Sequence, residues 1–478
     1  FRRCTLRPRE SRCGGGIAMS ICTIAEAAVM AKGTCMVSNE RLASVPIRSV
    51  TIDSRTVEKG SMFIALPGTT QDGSQFVRDA AVKHAACAMV ARKALSMVKS
   101  QLGTIELPLI VVEQPLEGLQ NLAGAYASKF HNIVKIGVTG SCGKTTTKEM
   151  IASILSAVDK TAKTPGNLNS EIGLPLSLFQ IAKDTRYGVF EMGVDHVGEM
   201  DAMLSMWRPQ VGVVTNIGHA HLGKMGSTQT IAHEKSKLFH SDIETALLVE
   251  SSAFRRYIES VRHVHSTPYG LTSTAGIEYT VSKGLTGWTI GYYGLSIDLK
   301  AVGRHNLVNA MAAISVAQSL NIAPEAVKIG LESFQSVEGR SRILEGNVTV
   351  IEDYYNASTD STDTILDYMG SIPWKGAKRV ILGSMKELGS ASESAHSNIG
   401  RTLAAMNPDS VMLYGNEMMA AYRVMKQSGY GKAVYITEDF AQLQSAVLSN
   451  VKKGDLILVK GSRAMAMERI VPSLVSIA

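Results

Sequence analysis

A lysine and two threonines close a glycine-punctuated run, Gly137-Val138-Thr139-Gly140-Ser141-Cys142-Gly143-Lys144-Thr145-Thr146, which is the part of this sequence best suited to hold phosphate. Val134, Ile136 and Val138 alternate with Lys135 and Gly137, so a strand is predicted to run into it. Met150, Ile151, Ile154, Leu155 and Val158 then recur at helical spacing. Glycines between a strand and a helix let the backbone curl until successive N–H groups face phosphate oxygens. Lys144 would reach the outer phosphates and Thr145 would offer its hydroxyl to Mg²⁺. Val138 stands where the general pattern has glycine. A chance glycine-rich turn is the alternative, disfavoured by Gly-Lys-Thr at the start of the helix.

Two more apolar runs end on groups that bind cations. Tyr187-Gly188-Val189-Phe190 ends on Glu191, and Val211-Gly212-Val213-Val214 leads to Thr215-Asn216, with His219 and His221 beyond. In an open parallel sheet, ligands bind past the carboxyl ends of the strands, so Glu191 and His221 are expected near Lys144 and Thr145. A hard cation between phosphates favours a carboxylate and a hydroxyl. His221 suits Mg²⁺ less on chemistry alone, and an ordinary loop histidine is the alternative.

The elements that must position these groups follow from the rest of the pattern. At 478 residues, 45% hydrophobic and 19% charged, the chain has the composition of a multidomain globular enzyme. No apolar run approaches the ~18 residues that span a bilayer. Residues 1–18 hold five arginines against one glutamate, and the remainder of the +7 formal charge is only +3, which gives no reason to invoke nucleic acid. That leader is expected to be disordered or mis-annotated, and dispensable, with Met19 a natural start. Six scattered cysteines form no Cys-x-x-Cys pair, which fits a reduced, cytoplasmic compartment. An α/β fold in three domains is expected. Residues 19–115 form a small unit with a helix at 80–84, a strand at 88–90 and another between Pro108 and Pro115. Residues 116–336 form the nucleotide domain. Residues 337–478 carry strands at 348–351, 380–382, 411–413, 434–436 and 456–459 with helices between, the pattern of a doubly wound parallel sheet. No Gly-x-Gly-x-x-Gly follows these strands, so a dinucleotide cofactor is not expected.

Taken together, the phosphate loop, Glu191-Met192-Gly193, Thr215-Asn216-Ile217-Gly218-His219-Ala220-His221-Leu222, Gly303-Arg304-His305-Asn306-Leu307-Val308-Asn309-Ala310 and Gly339-Arg340 resemble the Mur ligases, ATP-dependent amide-forming enzymes of peptidoglycan precursor synthesis. The resemblance covers essentially residues 20–478, and it accounts for Val138, because the family places its glycines as here at 137, 140 and 143. It implies a uridine-nucleotide domain, a P-loop ATPase-like domain and a Rossmann-like domain. It also implies ATP and two Mg²⁺ ions, held by Thr145, Glu191, His221 and a carbamylated Lys235. Thr139 to Thr146, His305, Asn306, Asn309, Arg340, Asp353 and Asn356 are implied around ATP, and Ser54, Arg55, Thr164, Asn167 and Asn169 around the uridine substrate. The implied catalytic set is Lys144, Lys235, His221 and Glu191.

The outer domains narrow the branch. Asp53-Ser54-Arg55, Gly60-x-Met62-Phe63-Ile64-Ala65-Leu66-x-Gly68 and Asp72-Gly73 resemble the third and fourth ligases of the pathway, and the Asp-Asn-Pro-Arg of the diamino-acid-adding branch is absent. Asp353-Tyr354-Tyr355-Asn356-Ala357, the 382–389 segment with His396, and Lys460-Gly461-Ser462-Arg463 look like the branch that joins D-alanyl-D-alanine to UDP-N-acetylmuramoyl-tripeptide through an acyl phosphate. A monomer without nucleic-acid or membrane partners is expected. The chain departs from the family pattern at Ser74, Cys142, Ser170, Lys237 and Ser384; Lys237 brings a cation close to the implied carbamate. Another amide ligase of the superfamily, of the diamino-acid, folylpolyglutamate or cyanophycin type, and a non-catalytic nucleotide switch are the competing readings.

Overall fold

The computed structural model describes residues 20–68 and 71–477, so the expectation for the leader lies outside the described residues. The chain divides into two compact units, Phe1–Lys129 and Phe130–Ala478. No helix among the described residues is long and apolar enough to cross a membrane.

The first unit is built on a five-stranded sheet in the order Thr34–Met36, Leu109–Val112, Cys87–Ala91, Ser61–Ile64, Ser49–Thr51. All pairs are parallel except the edge pair of Thr34–Met36 with Leu109–Val112. The three inner strands are buried at every position, because helices cover both faces of a parallel sheet. The helix expected at 80–84 runs from Val77 to Val82 and stops before His84, whose φ of 60° is not helical. The helix Pro115–Ala127, with proline in its first turn, also belongs to this unit, so the compact unit extends past the expected boundary near 115.

The second unit holds two six-stranded sheets. The first is wholly parallel, in the order Thr267–Tyr269, Thr245–Val249, Val211–Val214, Val134–Thr139, Tyr187–Glu191, Thr161–Lys163. Val134–Thr139 comes first in sequence yet lies in the middle, with later strands on either side. Its carboxyl end is therefore a topological switch point, where a ligand crevice opens. The helix Lys144–Ser156 leaves that point, and the helices Arg304–Ser319 and Pro324–Ser333 pack on it through one apolar core that includes Met150, Ile151, Ile154, Leu307 and Leu331.

The second sheet runs Arg342–Leu344, Thr349–Asp353, Leu456–Lys460, Lys378–Gly383, Ser410–Tyr414, Ala433–Thr437, with only the first strand antiparallel. All five strands read from the sequence are present. Alternate residues feed two cores: Ile351, Val380, Leu382 and Leu458 on one face, Val350, Ile381, Ile457 and Val459 on the other. Burying each such side chain contributes about 1.5–3 kcal/mol, which is why these runs cannot be edges. A three-stranded antiparallel sheet, Ile277–Ser282, Trp288–Tyr292, Leu295–Leu299, was not anticipated from the pattern.

Candidate active site

The phosphate loop begins where the central strand ends. Val138 is fully buried and paired within the sheet, so it is a strand residue and the turn starts at Gly140. Gly140 has φ 145°, and a Cβ there would fall 1.9 Å from Thr215 Oγ1. Gly143 has φ 81°, and its Cβ would stand 2.5 Å from Asn309 Oδ1. Neither position admits a side chain. The Ser141 and Cys142 amides donate to Asn216 Oδ1 at 3.0 and 2.8 Å, and Thr215 Oγ1 donates to the Cys142 carbonyl at 2.5 Å. Lys144 folds back onto its own loop, donating to the Gly140 carbonyl at 2.8 Å and more distantly to that of Ser141 at 3.3 Å. Burial lowers its pKa, and Glu191 opposes the shift. Thr139 faces away from the loop cavity and donates to the Met192 carbonyl at 2.6 Å.

Glu191 closes the neighbouring strand and is fully buried. Thr145 Oγ1 donates to its Oε2 at 2.7 Å and Asn169 Nδ2 to its Oε1 at 2.5 Å. Both partners are uncharged, an arrangement that leaves a buried carboxylate in need of a cation. The oxygens of Thr145 and Glu191 are hard donors of the kind Mg²⁺ prefers, so the residues fit that ion. The start of the loop after the strand Thr161–Lys163 is pinned from two sides. The Glu191 amide donates to Thr164 Oγ1 at 2.8 Å, and the fully buried Lys148 donates to the Thr164 carbonyl at 2.7 Å.

Lys235 lies on the helix Thr228–Ser236 with no exposure, its Nζ 3.5 Å from the Val194 carbonyl. Burial, and next the Lys144 charge, push its pKa down to about 7. The cation expected to disturb it, Lys237, is engaged elsewhere: its Nζ lies 2.5 Å from Asp201 Oδ2 and 2.7 Å from Glu234 Oε2. The cation that bears on Lys235 is thus Lys144, opposed by Glu199 and Glu234. His221 sits in the left-handed region, φ 61°, with Nδ1 2.8 Å from Glu387 Oε2.

The opposite wall comes from the second sheet of the same unit. Asp353 ends its strand and meets Lys460 Nζ at 2.6 Å; it also accepts from the Ser341 amide at 3.0 Å. Lys460 further donates to the Asn356 carbonyl at 3.1 Å. The Arg340 guanidinium stacks 3.9 Å above the Tyr355 ring, whose hydroxyl pairs with Asn167. His305 Nε2 lies 3.1 Å from Ser341 Oγ, while its buried Nδ1 has no partner. Asn306 and Asn309 are linked at 3.1 Å. A cavity of about 540 Å³ includes in its lining Ser141 to Lys144, Thr146, Asn169, Glu191, His221, His305, Asn306, Asn309, Arg340, Asp353 and Asn356, all named from the sequence, and also Asp195, Glu199 and Asp360, which were not. Sequence reasoning assigned no role to Lys148, and it placed Asn216, Tyr355 and Glu387 only within motifs.

Ser54 and Arg55 belong to the first unit, on a one-turn helix capped by Asp53. Arg55 pairs with Asp53 at 2.6 Å, and Lys83 Nζ donates to the Ser54 and Arg55 carbonyls at 2.9 Å. Ser74 and Ser384 are buried at 1% and 0% exposure, so neither departure from the family pattern alters an exposed contact.

Three family models match the chain: the Mur ligase family catalytic domain over residues 46–127, the Mur ligase middle domain over 138–317, and the Mur ligase glutamate ligase domain over 334–463. The UDP-N-acetylmuramoyl-tripeptide–D-alanyl-D-alanine ligase of Treponema pallidum is 33% identical over 428 residues, covering 89% of this chain and 93% of its own. The Bacillus subtilis protein of the same name is 32% identical over 459 residues, covering 95% and 98%. Among solved structures, MurF of Acinetobacter baumannii superposes with a TM-score of 0.82 at 27% identity, over 95% of this chain and 98% of that one. MurF of Thermotoga maritima in complex with ADP gives 0.75 at 27%, over 89% and 96%.

Proposed function

The chain belongs to the Mur ligase family, and we propose that it joins D-alanyl-D-alanine to UDP-N-acetylmuramoyl-tripeptide at the expense of ATP, yielding UDP-N-acetylmuramoyl-pentapeptide. The observation that carries this reading is likeness along nearly the whole chain, at 30% identity or more, to ligases that bear this name.

A carboxylate is a poor acylating agent, so the tripeptide carboxylate first attacks the γ-phosphorus of ATP. The bond to ADP breaks and an acyl phosphate forms. The free amine of the dipeptide then attacks the acyl carbon, phosphate departs with the electron pair, and an amide remains. Catalysis of the first step is positioning and charge neutralisation. Lys144 would leave the Gly140 carbonyl for the β- and γ-phosphates, and the Ser141 to Thr146 backbone would cradle them. His305, Asn306 and Asn309 would line the nucleotide, with Arg340, Asp353 and Asn356 opposite. Mg²⁺ would supply positive charge at the transferring phosphoryl oxygens. Thr145 and Glu191 would hold one ion, His221 and the carbamate of Lys235 a second. A lysine amine near pH 7 in its neutral form is competent to take up CO₂, which supports the carbamate.

Ser54 and Arg55, with Thr164, Asn167 and Asn169, would contact the uridine substrate. On this reading residues 19–115 bind that substrate, 116–336 bind ATP, 337–478 admit the dipeptide, and the enzyme works as a cytoplasmic monomer. The test is phosphate release with ATP, UDP-muramyl-tripeptides and a panel of dipeptides. Release only with the complete set, and highest with D-alanyl-D-alanine, is expected. Turnover with a diamino acid or with glutamate in place of the dipeptide would reject it.

A further inference from the structure

The segment that carries His221 is gripped by two acidic residues from the elements around the second sheet, Asp360 in the first turn of the helix Thr359–Ser371 and Glu387 in the turn after the strand Lys378–Gly383. Asp360 accepts from the His219 amide at 3.0 Å, lies 3.1 Å from its Nδ1, and packs so tightly that a Cβ on Gly218 would stand 2.4 Å from Asp360 Oδ2. Glu387 accepts from the Gly223 amide at 3.0 Å through its carbonyl and lies 2.8 Å from His221 Nδ1 through its carboxylate. Both partners of the second contact hold unusual backbones: φ is 61° at His221 and 68° at Glu387. Non-glycine residues persist there when surrounding structure dictates it, and such positions cluster at functional sites.

The turn bearing Glu387 is itself fixed. The Met385 amide donates to Nε2 of the fully buried His396 at 3.0 Å, and His396 Nδ1 donates to the Ser392 carbonyl at 2.7 Å. The Lys386 amide donates to Ser462 Oγ at 2.8 Å. Nothing in the core needs the Glu387 carboxylate, which is about half exposed.

We propose that Glu387 is a positioning residue for His221. Its carboxylate, 2.8 Å from Nδ1 but not aligned on it as a hydrogen bond, would on alignment hold Nδ1 as the protonated ring nitrogen and leave Nε2 to ligate. Metal-binding histidines are characteristically oriented by such a carboxylate. Here the carboxylate comes from a different sheet, so His221 is aligned only while the 385–389 turn is docked on the 218–223 segment. The site is then completed by the approach of the two sheets.

This inference rests on the proposed role of His221, and the test separates the two. Mn²⁺ serves as the probe, with a non-hydrolysable ATP analogue and UDP-muramyl-tripeptide. Pulsed electron paramagnetic resonance reads nitrogen coupling to the ion, and steady-state kinetics are measured with Mg²⁺. Glu387→Gly removes the side chain at a φ that glycine adopts freely, and Glu387→Gln removes only the charge. In both variants kcat should fall about 10–100-fold, with the nitrogen coupling weakened, the KM for ATP unchanged and the thermal midpoint maintained. His221→Ala is the control. If it keeps both coupling and activity, the metal role of His221 fails. If it loses them while Glu387→Gly retains both, the positioning role alone is overturned. A lowered thermal midpoint with parallel losses in ATP affinity and kcat would equally overturn it, in favour of a structural role.

Discussion

The two sheets of the second unit each end a strand on a carboxylate, fully buried at Glu191 and partly buried at Asp353, with a buried lysine nearby. In the second sheet Asp353 and Lys460 meet at 2.6 Å. In the first, the Glu191 carboxylate accepts from Thr145 and Asn169, both uncharged, and Lys235 has a carbonyl at 3.5 Å. Topology alone delivers carboxylates to strand ends; the neighbours decide what they do there. The Asp353–Lys460 pair neutralises itself and braces the wall of the cavity. Among the described residues Glu191 and Lys235 form no direct ion pair, although Lys144 lies near enough for the Glu191 charge to act on it, and burial without such a pair costs folding free energy unless ligands complete them. The contrast distinguishes a frame from a reaction centre within one compact unit.

The largest effect that could break this contrast is at Lys144. Lys144→Ala should lower kcat/KM by on the order of 10³-fold, about 4 kcal/mol of barrier, without unfolding the chain. Near-normal turnover would remove the loop from the chemistry. Lys235→Ala should be nearly inactive and regain turnover with small carboxylic acids; full activity without added acid would exclude a carbamate. The same lysine carries a pH prediction. With its pKa near 7, Lys235 is an ammonium below that pH and a free amine above it. Labelled CO₂ uptake should rise as pH passes through 7, and uptake that begins only near pH ~10 would place the lysine in its ordinary range.

Smaller effects test the frame. Asp353→Asn strands the Lys460 charge, with only the Asn356 carbonyl left as a strong acceptor, and should destabilise the protein by about 3 kcal/mol in urea titrations. Glu191→Gln removes a buried charge that has no direct ion pair, so unliganded stability should hold or rise. Equal losses in the two variants would erase the distinction between the sheets.

Much of this was legible in the sequence because its signals are local. Continuous apolar runs such as Val211-Gly212-Val213-Val214 announce buried parallel strands, and the strand-loop-helix grammar around Gly140 and Lys144 announces phosphate. The antiparallel sheet was not legible. Its first strand, Ile277–Ser282, is mostly exposed, so packing imposes little periodicity on it. What Lys148 and Glu387 do was missed for a different reason. Their roles come from contacts with residues distant in sequence, the Thr164 carbonyl and His221, and a lysine in a helix or a glutamate in a loop reads as solvated until the fold buries or aims it. Lys237 shows the converse: adjacency in sequence suggested a clash with Lys235, while the helix directs it to Asp201 and Glu234.

If phosphoryl transfer from ATP activates the substrate carboxylate, one of that carboxylate's oxygens must leave with phosphate. Labelling the carboxylate with heavy oxygen and following the label through one round of ligation by the whole chain reads this step. Heavy oxygen is expected in the released inorganic phosphate, one atom for each amide formed. Amide formation with unlabelled phosphate would rule out the acyl phosphate.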